Sequence, residues 1–203
     1  MIHDMGAKYH HGDLRSELVR VSFELIAEQG IAGFSVAQVA KRANVSAAAP
    51  YRHFPDRSSL LAAVAAEAAC RLRGFVEAAA TGETDPVARL ATAIGAYTRF
   101  QIDTQVGFPV IFAAGLDDPK FTELHEQRRA TNDAYLMLCL EVTPTPAAAL
   151  ELLEQLYAQA HGYGDMYREG TFARLGYPPE TVVEKATNAA RLVIEAHQAA
   201  AQR

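Results

Sequence analysis

The chain has 203 residues, half of them apolar, no Trp and a formal net charge of −5. That length holds one good core, or a small domain joined to a larger one, and the modest Pro and Gly content excludes a disordered chain. No apolar run reaches the ~18 residues of a membrane-spanning helix, with "AYLMLCLEV" at 134–142 coming nearest, and Met1 to Tyr9 lack a secretion signal, so a cytoplasmic protein without a membrane partner is expected.

Split by position, the charge says more. Residues 1–60 carry seven Lys or Arg, six Asp or Glu and four of the seven His, a net of +1. The remainder carries twelve against eighteen, a net of −6. The first third therefore tolerates a polyanion, and the rest repels one. Cys70 and Cys139 lack CxxC or CxxH spacing and read as reduced thiols rather than a disulfide or metal site.

Helical periodicity dominates, so the expected fold is all-α. Asp13 is placed to cap a first helix and Gly30 to end it, with Leu14, Leu18, Val21, Leu25 and Ile26 on its apolar side. Ser35 caps a second helix, with Gln38 three residues on as in a capping box, and that helix ends near Ala43. Asn44 sits where a tight turn needs a left-handed residue. Ser46 then caps a short third helix over 47–53. Pro55 and Asp56 break the chain before a long helix over 56–79. Further helices are expected at 86–104, with Asp85 as cap and Pro86 at its first position, and at 109–114, 119–142, 147–170 and 179–200. The division is a head over 1–55 and a larger body over 56–203.

Residues 35–54, "SVAQVAKRANVSAAAPYRHF", read helix, turn, helix. Val36, Val39, Ala40, Val45 and Phe54 form one apolar set, with Ala40 small where two helices cross closely. That matches a helix-turn-helix, whose second helix enters a major groove. Spacing alone also fits an ordinary αα-hairpin.

The longer stretch "FSVAQVAKRANVSAAAPYRHFPDRSSLLAAV" resembles the DNA-binding domain of the tetracycline-repressor (TetR) family. The shared pattern is a Ser or Thr opening the second helix, "IA…AGVS" into the turn, then "YxHF", a Lys or Arg three residues on, and "LL". Asn44 stands in place of the usual Gly, and Ala47, Ala48 and Ala49 in place of polar residues that often read bases. "YHHGDLR" at 9–15 and "AQAHGY" at 158–163 resemble a subgroup with a His-Gly signature on its penultimate long helix.

In the expected third helix, Pro50 and Phe54 share the inward face, and Ala47, Ala48 and Ala49 let the backbone sit deep in a groove with apolar contact to thymine methyls. Arg52 is the candidate for base reading, ideally bidentate to guanine. The resemblance implies phosphate contacts from Tyr51, His53, Arg57 and Ser35. Ser46 and Lys41 complete the candidate DNA-binding set, although Lys41 also reads as a solvated cation. Lys8, His10 and His11 read either as an arm on the DNA or as a loose terminus. They are no metal site, because Asp13 is the one carboxylate close by and is better used as a cap.

The resemblance further implies a homodimer on a palindromic operator in double-stranded DNA, released by a small-molecule effector. The last two long helices are the natural dimer interface, with Leu150, Leu153, Tyr157 and Ala160 on one stripe and Val182, Ala186, Ala189, Ala190 and Val193 on the other; a buried face inside one subunit is the alternative. Tyr97, Phe100, Phe108 and Phe112 gather near the Gly107 and Gly115 breaks, where His125 and His161 would add polar handles to an apolar, partly aromatic effector pocket. A solid core is the alternative there too. No cofactor is expected, and no nucleophile elbow, phosphate loop or metal cluster points to an enzyme. Glu154 and His161, two turns apart, are a common helix face. The rival reading is a helical ligand-binding or protein-interaction protein without sequence-specific DNA binding.

Overall fold

The computed structural model describes residues 11–104 and 106–201, apart from the side chains of 11–13. Lys8 and His10, and the side chains of His11 and Asp13, lie outside the described residues.

Those residues form α1 (His11–Gly33), α2 (Val36–Arg42), α3 (Arg57–Ala80), α4 (Pro86–Thr104), α5 (Phe108–Ile111), α6 (Thr122–Leu140), α7 (Pro146–Arg168), α8 (Thr171–Arg174) and α9 (Pro179–Ala201). A single 3-10 turn, Pro50–Arg52, lies between α2 and α3, and the described residues contain no strand.

Local sequence accounts for most boundaries. α1 breaks at Gly30, whose φ of 72° and ψ of 172° leave the helical region. It begins at His11, so Asp13 falls inside its first turn rather than at the cap. The Ser35 hydroxyl accepts from the Gln38 amide at 3.3 Å and donates to the Gln38 side chain at 2.9 Å, which closes the start of α2. Asn44 holds φ at 54°, as its turn requires. Asp56 caps α3 through the Ser59 amide, and Asp85 caps α4 through the Ala88 amide at 2.8 Å.

The third helix expected over 47–53 is a correction. It is a turn running into three residues of 3-10 helix. Pro50 has no N–H to give, so the ladder tightens to three-residue steps: Ala49 N to Ser46 O at 2.9 Å, Arg52 N to Ala49 O at 3.2 Å and His53 N to Pro50 O at 3.0 Å. Ser46 therefore contributes its carbonyl and makes no side-chain cap. Farther on, the helix expected over 109–114 is the single turn α5, and α8 was not foreseen; it follows Gly170, which sits left-handed at φ 74°.

One apolar core runs from Leu18, Phe34 and Phe54 through Leu60, Val64 and Leu72 of α3 to Ile94, Leu156 and Ile194. α4 is the central helix of the body and packs against α3, α6, α7 and α9. The close approach of α4 to α7 depends on Gly164: a Cβ there would lie 2.6 Å from the Gln101 amide, whose Nε2 donates to Ala160 O at 3.3 Å.

Candidate DNA interface and effector site

The head presents one side of the 47–54 segment and buries the other. Pro50 and Phe54 lie inside, as their spacing requires, together with Val36, Val39 and Ala40. Ser46, Ala47, Ala48 and Arg52 are exposed, Ala49 and His53 are half-buried, and Tyr51 is 53% exposed despite its size. The turn behind them is fixed by Val45 N to Ala40 O at 3.0 Å and Asn44 N to Lys41 O at 3.2 Å. The sequence thus folds a rigid, alanine-lined ridge tipped by an aromatic and a cation.

The charge on the head is placed rather than abundant. Arg20 pairs with Glu17 and Glu24, and Arg42 forms a two-pronged pair with Glu28 at 2.7 and 2.8 Å. The Arg20 and Arg42 guanidiniums hold the Glu17 and Glu28 carboxyls below the usual carboxylate range. Among the described head residues, Lys41 and Arg52 are the basic side chains left without a protein partner. That leaves them available to a phosphate or a base edge.

Arg57, expected on a phosphate, also makes contacts inside the protein. Its Nε donates to Phe34 O at 3.1 Å and its Nη2 to Ile31 O at 2.7 Å, while the guanidinium lies over the Phe34 ring at 5.4 Å. It fastens α3 to the α1–α2 loop. Two of its donors are committed to holding the head together.

In the body, the expected aromatic group is only partly assembled. Tyr97, Phe108 and Phe112 line a narrow slot with Leu72, Arg128 and Tyr157; its volume is about 10 Å³, room for roughly one water. Phe108 and Phe112 stack with centroids 4.2 Å apart, and His161 packs on Phe108 at 5.1 Å. Phe100 is fully buried elsewhere, edge-on to Phe75 at 5.4 Å, and His125 binds the Asp118 carbonyl at 3.0 Å in the α5–α6 loop. The open pocket expected among these residues is therefore absent in this conformation, because the two phenylalanines close over it. His161 is held by Asp165 at 3.3 Å rather than paired with Glu154.

Two residues at the slot escaped the sequence reading. Tyr157 was assigned to a dimer stripe. Arg128 is nearly buried and donates to Ile111 O at 2.8 Å from Nε, to Leu116 O at 3.3 Å and to Asp117 at 3.2 Å from Nη1. The signal was present, since Leu124, Arg128, Thr131, Tyr135 and Cys139 fall at steps of three and four and are all buried on one face of α6.

The head and body meet at a seam beside this loop. Arg15 of α1 pairs with Glu123 of α6 at 2.8 Å, and Lys120 lies 3.8 Å from Asp56. The groove between them, about 380 Å³, is lined by His53 and Phe54 on the head side and Phe121 and Leu124 on the other.

The expected dimer stripes are mostly used inside the chain. Leu153, Ala160, Val182, Ala186 and Ala190 are buried in the core, whereas Leu150 stays more than half exposed, as does Leu192, which lay outside the expected stripe. The described residues contain no helix long and apolar enough to cross a membrane and no group of three or more His, Cys, Asp or Glu placed to hold a metal.

A helix-turn-helix head on an all-helical body defines a class, the DNA-binding transcriptional regulators with a ligand-binding domain. Residues 18–64, most of the head and the start of α3, match the family of bacterial regulatory proteins called tetR. The whole chain is similar to a Rhodococcus sp. RHA1 protein of unknown function, at 28% identity over 92% of this chain and 97% of that one, with a TM-score of 0.74. A bacterial regulatory protein of the tetR family from Rhodococcus RHA1 shares the fold at 18% identity, 89% and 96% coverage and a TM-score of 0.69. So does RolR, solved in complex with resorcinol, at 20% identity, 90% and 93% coverage and a TM-score of 0.54. No curated protein matches the chain in sequence.

Proposed function

We propose that the protein is a cytoplasmic, dimeric repressor that holds a palindromic operator in double-stranded DNA and leaves it when a small, partly apolar effector enters the body. The head over 1–55 would read DNA, and the body over 56–203 would bind the effector and the second subunit. The observation that carries this reading is the presented ridge: Tyr51 and Arg52 exposed on a turn whose inner side is packed, with Lys41 unpaired at the end of α2. Arg52 is the base reader in this account. Tyr51, His53, Lys41 and the start of α2 at Ser35 lie against the phosphates.

Dimerisation follows from the outer faces of α7 and α9, where Leu150 and Leu192 remain uncovered in the single subunit. Two heads joined this way would reach half-sites about 34–36 Å apart. Release follows from the loop between α5 and α6. One end carries Ile111 and Leu116, gripped by Arg128 beside the slot, and the other carries Lys120, at the seam with the head. An effector that lifts α5 shifts this loop, and with it the spacing of the heads. RolR, of like fold, takes resorcinol, which supports a small ring compound as effector.

The test is binding of the protein to its own promoter DNA and to a scrambled duplex as salt rises. A regulator keeps its preference for one palindrome at high salt, whereas loss of both duplexes together defeats the reading. The alanines at 47–49, which offer no hydrogen bonds to bases, favour the second reading, a ligand-binding helical protein without sequence-specific DNA binding. That protein would show no preference at any salt.

A further inference from the structure

The body holds three phenols together. Tyr97, Tyr135 and Tyr157 have ring centroids 5.9, 6.5 and 5.1 Å apart. The Tyr157 hydroxyl donates to Asn132 Oδ1 at 3.2 Å. The hydroxyls of Tyr97 and Tyr135 are buried and have no hydrogen-bond partner in the protein. A buried hydroxyl without a partner is destabilising by about 1–3 kcal/mol, whereas phenylalanine would fill the same space without that penalty. Tyr97 itself lines the slot beneath Phe108 and Phe112.

We propose that this slot opens to admit a neutral ring compound bearing a hydroxyl or carbonyl oxygen, whose oxygen accepts from the Tyr97 hydroxyl. The inference rests on the reading of the body as the effector-binding part and adds the chemical class of the effector. Four observations support it. The slot walls are aromatic faces from Tyr97, Phe108, Phe112 and Tyr157, which suit a flat ring. Its lid is a single turn of helix, α5, following Gly107; Phe112 at its end is 42% exposed, while Val110 and Ile111 are buried and must shift when the slot opens. The one cation lining the slot, Arg128, already donates to Ile111 O, Leu116 O and Asp117, which compete with a ligand carboxylate for it. Burial, reinforced by the Asp165 carboxylate, pushes the Tyr97 phenol above its ordinary range, so it stays a neutral donor in a site unfavourable to anions.

The experiment titrates the purified full-length protein with p-cresol, toluene and p-toluate, which share a ring and differ in the polar group. p-Cresol is expected to bind at least about tenfold more tightly than toluene, with p-toluate weakest; Tyr97→Phe is expected to cut the p-cresol preference to within about threefold, and Tyr135→Phe, outside the slot lining, to leave it. Both variants are expected to melt at or above the wild-type temperature, since each loses an unpaired hydroxyl. Equal binding of toluene and p-cresol overturns the inference, as does tighter binding of p-toluate or failure of all three to bind. A preference that survives in Tyr97→Phe overturns it too. A fall of several degrees in melting temperature in Tyr97→Phe shows that its hydroxyl already has a partner, such as an ordered water, and has the same force. Specific promoter binding by the wild-type protein is measured alongside. If it is intact while the ring titrations fail, only this inference is lost; if it is absent, the regulator reading is lost whatever the titrations give.

Discussion

Arg15 and Glu123 join the first helix of the head to the start of α6 at 2.8 Å, across 108 residues of chain. Both side chains are about half exposed, so the pair adds little to stability, within about 1 kcal/mol. Its position at the seam gives it a different use. Glu123→Ala is expected to leave the melting temperature nearly unchanged while weakening the effect of the effector on DNA affinity, and the charge swap of both residues to restore it. Calorimetric melting and DNA titration with and without effector check this. Equal coupling in the variant and the wild type would show that the signal does not pass through this pair.

Arg52 and Arg57 separate by role. Arg52→Ala is expected to relax base preference at one operator position, by roughly 1–3 kcal/mol, with no change in melting temperature. Arg57→Ala removes donors to Phe34 O and Ile31 O and is expected to lower stability by about 1–2 kcal/mol, a few degrees in melting temperature for a chain of this size. The check is a binding-site selection paired with thermal melts. If Arg57→Ala melts like wild type, its carbonyl contacts are incidental.

Asp56 gives the head a defined acid sensitivity. Its carboxylate accepts from the Ser59 amide at 2.6 Å and the Ser59 hydroxyl at 2.8 Å, which holds its carboxyl below the usual range, with Lys120 adding attraction. A lowered folded value means the stabilisation is complete above the ordinary pKa of about 3.9 and fades as pH falls through the folded value. Asp56→Asn keeps a capping oxygen but does not titrate. Melting from about pH 5 down to pH 2 should therefore fall more steeply in wild type than in the variant. Parallel curves would remove Asp56 from the account.

The two thiols should differ sharply. Cys70 is exposed, whereas burial pushes the Cys139 thiol up to about 12. A thiol reagent near pH 8 is expected to label one cysteine per folded chain, lost in Cys70→Ser, and to reach Cys139 only on unfolding. Two equivalents labelled rapidly in the folded protein would show that the α6 core opens more readily than its packing implies.

Local chemistry made much of the head legible in sequence. The Ser35 cap, the left-handed Asn44, the inward Pro50 and Phe54 and the Asp85 cap each depend on residues within four positions, and each stands as expected. The same local reasoning overextended the 47–53 helix, because Pro50 has no N–H to give to the ladder. Contacts at long range were not legible. Nothing near Arg57 in sequence points to the carbonyl of Ile31, 26 positions away, and nothing near Phe108 and Phe112 says that they stack shut over Tyr97. The internal use of much of the expected dimer stripes was hidden for a related reason. Small apolar residues at helical spacing suit an internal helix crossing as well as an intersubunit one, and α4 fills that side of α7 and α9 within the chain.

The central claim is that a ridge carrying Tyr51 and Arg52 reads duplex DNA as one half of a symmetric pair. Its most direct test is the stoichiometry and affinity of the complex with the palindrome upstream of its own gene, measured by fluorescence anisotropy and light scattering between about 50 and 200 mM salt. The account predicts two subunits per palindrome, a preference over scrambled duplex that persists at the higher salt, and loss of that preference in Arg52→Ala. A single subunit bound, or equal affinity for palindrome and scrambled duplex throughout, would contradict it.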